Sequence, residues 1–122
     1  MGSEEVRRRL RRIEEVMGKV PLVTETLAGR EDLFLPYTDL NQSVFYRPKH
    51  LDRKTVELAA ISSAASLGSE HCLDVHIEQA RALGATRDEV MEAMMVGSMM
   101  AMTRSQAVAF RRLWDDEPVS EP

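Results

Sequence analysis

Apolar residues recur along this chain at intervals of three and four, the period of an α-helix, and nowhere alternate in the one-on, one-off pattern of a half-buried strand. Val6, Leu10, Ile13, Val16 and Met17 form one such stripe among arginines and glutamates, and Gly18 follows as a stop signal. The spacing predicts a first amphipathic helix over 4–17. Residues 21–28 read as a short helix ending at Gly29, and a third helical segment runs over 31–46, with Pro36 either in its first turn or at a kink, because proline lacks the amide hydrogen of a helix interior. Residues 47–51 form a connection, and Asp52 stands where the N-cap of the next helix belongs.

That helix, over 53–67, places Val56, Ala59, Ala60, Ser63, Ala64 and Leu67 on one face of mostly small residues suited to close helix packing. Gly68 ends it, Ser69 caps a further helix to about Leu83, and Gly84 stops that one. The near-absence of a connection between the two requires a tight antiparallel pair or a sharp corner. Thr86 followed by Glu89 is a capping-box pattern opening a helix through a methionine-rich stretch, and Thr103 or Arg104 is expected to begin a last helix to Trp114. The fold class that follows is all-α, as a single domain over 1–122, with residues 1–3 and 116–122 expected to be mobile.

Composition narrows the partners. Against 16 Lys and Arg stand 20 Asp and Glu, a net charge of −4, so there is no basic excess to neutralise phosphates and no nucleic acid partner is expected. The run RRRLRR in the first helix is offset by Glu4, Glu5, Glu14 and Glu15 and reads as a solvated face. No apolar run approaches the roughly 18 residues of a membrane span, and the first residues lack the apolar core of a signal peptide; no membrane partner and a cytoplasmic location are expected. One cysteine, Cys72, excludes an intrachain disulfide and a four-thiolate metal site.

The strongest local signal is Ser69–Glu70–His71–Cys72–Leu73–Asp74–Val75–His76, which gathers two of the three histidines and the sole cysteine at a helix start. Cys72 and His76 are one turn apart on the same face, with Ser69 one turn before, whereas His71 points elsewhere. A thiol in a first turn feels the positive end of the helix dipole, and a nearby imidazole can take its proton. The same spacing suits an inert buried cysteine beside surface histidines. Glu57, in the middle of an otherwise small and apolar helix, is either solvated or a buried acid that must be paired. Cys72, His76 and Glu57 are ligand types for Zn²⁺ or Fe²⁺, but His71 and His76 face different directions, so no metal and no other cofactor is expected. Met91, Met94, Met95, Met99 and Met102 fall near one helical face, as a core or subunit interface would require, and Gly97 with Ser98 among them suggests another helix passing close.

Taken in order, Glu57, eleven residues, Ser69–Glu70–His71–Cys72, three residues and His76, followed by the helix, glycine turn and Asp88–Glu89–Val90–Met91–Glu92, resemble the AhpD-like alkylhydroperoxidase and carboxymuconolactone decarboxylase superfamily over 48–112. The resemblance implies an all-helical domain with the motif in a helical hairpin, assembled as a homotrimer or homohexamer. It implies that Cys72 is a peroxidatic thiol toward a small hydroperoxide, that Glu57 is a base acting directly or through water, that His76 relays the proton and that His71 shapes or polarises the site. Ser69 stands where the family's alkylhydroperoxidase branch has its resolving cysteine, so an external thiol reductant is needed; Ser69 itself is left to cap the helix and bond the thiolate. Two alternatives remain. One is a decarboxylase-type lyase on a small carboxylated lactone, with Arg47, Lys49, Arg53 and Arg104 as possible cationic partners. The other is a helical oligomer that kept the frame without catalysis.

Overall fold

The computed structural model describes residues 3–116, and among them every regular element is helical. Contacts divide the chain into two compact units, the first ending at Arg53 and the second beginning at Lys54.

The first unit opens with α1, Glu4–Met17, whose bounds are those expected from its stripe. The Ser3 hydroxyl accepts from the Val6 amide at 3.3 Å, and Gly18, at φ 77°, returns its amide to the Glu14 carbonyl at 2.7 Å. Both helix ends are thereby satisfied by local chemistry. Short α2, Leu22–Leu27, precedes α3, Glu31–Asn41, in which Phe34 is fully buried. Pro36 lies inside α3, beyond its first turn, and removes one helix donor there. The last stretch expected to be helical does not stay α: Gln42–Tyr46 widens into a π-helical turn. Arg9 fastens α1 to α3 by donating to the Leu35 carbonyl at 3.2 Å, Thr38 Oγ1 at 2.7 Å and Asp39 Oδ1 at 2.8 Å. Glu5 accepts from Arg9 Nε at 2.7 Å, and Glu4 pairs with Arg7 and Arg11, so the arginines of α1 are largely neutralised within their own surface.

The second unit carries the motif. Nearly all of α4, Arg53–Leu67, belongs to it, with α5, Glu70–Ala82, and α6, Arg87–Asp116. Gly68 at φ 66° and Gly84 at φ 89° make the two turns, where an L side chain would be strained, and Ser69 N and Ala85 N close them onto Ala64 O and Ala80 O at 3.0 and 2.9 Å. Ile61 of α4, Ala80 of α5 and Ala85 and Val90 at the start of α6 form the core, with Leu58, Leu73, Ile77, Ala93 and Met94 against it.

Three expectations change here. The buried side of α4 is Val56, Glu57, Ile61 and Ala64, while Leu67 is 77% exposed, so the helix is rotated from the small-residue face toward its larger side chains. No new helix starts at Thr103: α6 is continuous for 30 residues, because the Thr103 hydroxyl bonds back to the Met100 carbonyl at 3.1 Å instead of capping. Met94 packs into the core, apart from exposed Met95, Met99 and Met102. Residues 1–2 and 117–122, within the segments expected to be mobile, lie outside the described residues.

The capping box at the start of α6 forms as expected, with Glu89 N donating to Thr86 Oγ1 at 3.1 Å and Thr86 N to Glu89 Oε1 at 2.9 Å. Lys54 Nζ lies 2.8 Å from Glu89 Oε2 and ties the start of α4 to the start of α6. The Lys54 ammonium, and after it the Thr86 amide, hold the Glu89 carboxyl below its ordinary 4.5. A depressed acid contributes stability that is complete above its unfolded value and is lost as pH falls through the folded one. Melting temperature is therefore expected to drop more steeply in the native protein than in Glu89→Gln between about pH 6 and about pH 3, and equal slopes would refute the assignment.

Candidate functional site

The site is built on the α4–α5 hairpin. Glu57 is the fifth residue of α4 and shares the buried side with Ile61 and Ala64, leaving it only 1% exposed. An isolated carboxylate at such a position would cost several kcal/mol. His76 supplies the compensation from α5, with Nδ1 2.7 Å from Glu57 Oε2. The imidazole is itself mostly covered, its side chain 19% exposed against 2% for the glutamate. When Nδ1–H donates to the carboxylate, the other ring nitrogen, Nε2, carries the lone pair of the neutral imidazole.

Cys72 is the third residue of α5, one turn before His76 on the same stripe, and it is exposed. It thus lies in the first turn of a 13-residue helix, where a reagent can reach the sulfur. Its exposure removes the reading of Cys72 as an inert core thiol.

The sequence-derived residues therefore separate. Glu57 and His76 are brought into direct contact across the hairpin, and Cys72 stands one turn from the histidine. Ser69 occupies the N-cap position of α5, but its hydroxyl makes no capping hydrogen bond, contrary to the capping role expected of it; its backbone serves the turn instead, through Ser69 N to Ala64 O at 3.0 Å and its carbonyl to Leu73 N at 3.0 Å. His71 is exposed beside Cys72 in sequence. The solvated reading of Glu57 gives way to the buried, paired one. Among the described residues, no three His, Cys, Asp or Glu side chains converge as metal ligands would.

Of the cations considered for an acidic substrate, Arg47 and Lys49 are exposed in the connection before α4, and Arg104 is exposed on α6. Arg53 differs. Its guanidinium carbon lies 4.9 Å from the centre of the Tyr46 ring, and its Nε is buried without a hydrogen-bond partner. Nothing in the spacing of Tyr46 and Arg53, seven residues apart across an irregular connection, signals this stacking. The first unit also contains an open cleft of about 560 Å³ between α1 and α3, lined by Arg8, Arg9, Arg12, Thr38, Asp39 and Gln42 among others.

Comparison with known sequences shows the family. The family model described as "Carboxymuconolactone decarboxylase family" matches residues 31–115, which takes in α3 as well as the hairpin and α6. The "Uncharacterized protein 4 in cox locus" of Paracoccus denitrificans is 30% identical over 86 residues, covering 70% of this chain and 74% of that protein. No solved structure matches significantly. Among the described residues, no helix is long and apolar enough to cross a membrane.

Proposed function

The chain belongs to the carboxymuconolactone decarboxylase family, and within it we propose that this protein is a one-cysteine hydroperoxide reductase of the AhpD-like kind. The observation that carries the reading is the buried Glu57–His76 pair one helical turn from an exposed, first-turn cysteine.

The chemistry follows from those positions. His76 takes the proton of the Cys72 thiol, and Glu57, bonded at Nδ1, stabilises the imidazolium that results. The thiolate attacks the terminal peroxide oxygen, an S–O bond forms as the O–O bond breaks, and the alkoxide leaves as an alcohol carrying the proton held by His76. The sulfur is oxidised by two electrons to sulfenic acid and the peroxide is reduced by two. With Ser69 in place of a second thiol, two equivalents of an external small thiol return Cys72 to the thiol, releasing water and a disulfide. Such a cycle suits the cytoplasm, where thiol pools are kept reduced.

Cumene hydroperoxide is expected to add one oxygen to the intact mass of the native protein, trapped by a sulfenic-acid reagent and absent in Cys72→Ser. Oxidation no faster than that of a free small thiol would refute the proposal. The second reading, a lyase acting on a small carboxylated lactone, is favoured by Arg53, whose buried, unpaired Nε is a donor awaiting an anionic partner. Lactone turnover that survives Cys72→Ser would select it.

A further inference from the structure

The thiol chemistry makes no use of the arginine-rich stretch of α1, four of whose arginines, Arg8, Arg9, Arg11 and Arg12, line the cleft of about 560 Å³ between α1 and α3. Ion pairing cancels much of their charge without exhausting their hydrogen bonds, because each guanidinium carries five N–H donors. Arg9 is the fixed one, its side chain 27% exposed, with Nε on Glu5 and Nη1 on Leu35 O, Thr38 and Asp39, so that only Nη2 is left over. Arg8 and Arg11 commit one nitrogen each, to Glu5 and Glu4. Arg12 shares the face of α1 that carries Arg8 and Arg9, and its side chain makes no hydrogen bond or ion pair among the described residues. The acceptors are nearly used up. Both Glu5 oxygens are taken, and Arg9 first and Arg8 second hold that carboxyl below its ordinary 4.5. Asp39 Oδ1 is taken as well, which leaves Asp39 Oδ2, Glu15 and the Gln42 amide.

We propose that this cleft binds a small phosphomonoester with a hydroxyl-bearing body, its phosphoryl group held by Arg12, Arg8 and the open edge of Arg9. A wall with many open donors and few open acceptors complements an oxyanion, and guanidinium forks match its geometry. One fork satisfies the two oxygens of a carboxylate, whereas three guanidinium groups on one helix face suit the three terminal oxygens and double charge of a phosphomonoester. Arg9 is pre-organised for this by four hydrogen bonds, so binding does not have to order it. The volume falls in the usual range of small-molecule sites, about 300–1,000 Å³, and exceeds what a phosphoryl group alone fills. The body of the ligand meets Ile13 as an apolar contact, with Glu15 and Asp39 Oδ2 to accept from its hydroxyls and the Gln42 amide to pair with either kind of group. Gln42 also opens the π-helical turn Gln42–Tyr46, a distortion that recurs at functional sites. The chain's net charge of −4 disfavours a long polyanion but leaves this local match to a single phosphoryl group intact.

The test is calorimetric titration of the full chain with glucose 6-phosphate and with AMP, at a fixed ionic strength of about 0.15 M so that general screening is constant. Both esters are expected to bind with a millimolar or tighter Kd, the tighter of the two telling a sugar body from a nucleoside one, while glucose and adenosine give no binding. Arg12→Gln is expected to weaken both about tenfold, the loss of one charge-assisted contact. Its melting temperature should equal that of the native protein, because Arg12 holds nothing in the fold. Gln42→Ala is expected to weaken the esters and leave inorganic phosphate unchanged. Cys72→Ser is expected to bind as the native chain does, so failure of the proposed reductase chemistry would leave this result standing. Absence of binding by both esters, native affinity in Arg12→Gln, or inorganic phosphate bound as tightly as either ester would each overturn the proposal.

Discussion

Gly97→Ala is expected to lower the melting temperature by roughly 10 °C, equivalent to about 3 kcal/mol in a domain of this size. A Cβ at position 97 would lie 1.9 Å from the carbonyl oxygen of Ser62, 2.8 Å from its carbon and 3.2 Å from its Cα. All three are backbone atoms of α4, so no side-chain rotation relieves the clash and the two helices must separate. Against this works the intrinsic preference of a helix interior for alanine over glycine, about 1 kcal/mol. The steric term wins because overpacking against a rigid backbone costs about 1–3 kcal/mol or more, and because separating α4 from α6 loosens the packing of Ile61 and Val90 as well. Gly29→Ala provides the control: its Cβ would meet only the Thr26 carbonyl oxygen, at an ordinary 3.7 Å. Comparable melting temperatures for the native protein and Gly97→Ala would show that the helices cross with more room than this.

The same glycine shows what can be read from a sequence of this kind. A glycine beside a serine in a methionine-rich helix announces a neighbouring backbone, and that neighbour proves to be Ser62. The bounds of α1 and α4 were likewise legible, because their stripes, stops and flanking glycines agree with one another. Where local signals compete with tertiary packing, the pattern misleads. Val56 and Ala64 are on the buried side of α4 under either reading, and whether Ala60 or Ile61 joins them depends on the partner helices rather than on α4. At Thr103 the cap signal is real, since threonine favours a helix start, yet nothing before it breaks the helix and the hydroxyl finds its own preceding turn.

The candidate site divides along the same line. One-turn spacing within α5 is a local property, so Cys72 and His76 could be placed on one stripe from the sequence. Burial is not local. Glu57 is 19 residues before His76, and only the hairpin turn at Gly68 and Ser69, combined with the rotation of α4, decides that the carboxylate points inward to the imidazole. The resemblance to the family supplied that pairing as an expectation. In the mechanism proposed above, the carboxylate, 1% exposed and bonded to the histidine, orients and charge-stabilises that ring.

Glu57→Gln is accordingly expected to slow oxidation of Cys72 by hydroperoxide about 100-fold while leaving the fold intact. The amide retains the size of the side chain and an oxygen able to accept from Nδ1–H, so the ring stays oriented, but the negative charge that stabilises the imidazolium is gone. Glu57→Ala removes orientation and packing together. A cavity opens beside Ile61, the partly buried imidazole loses its acceptor, and destabilisation of about 3–5 kcal/mol is expected on top of the kinetic loss. His76→Ala should slow oxidation at least as much as Glu57→Gln, and the double variant His76→Ala with Glu57→Gln should be little slower than His76→Ala alone, because the glutamate acts through the ring. The measurement is the second-order rate constant for loss of the free thiol under excess cumene hydroperoxide, with a thermal melt of each variant to separate folding from chemistry. Additive effects of the two substitutions would mean that Glu57 reaches the thiol by a route that bypasses His76, as a direct or water-mediated base would. Unchanged rates in both single variants would mean that the pair serves the packing of α4 on α5 and that Cys72 draws whatever reactivity it has from the helix terminus alone.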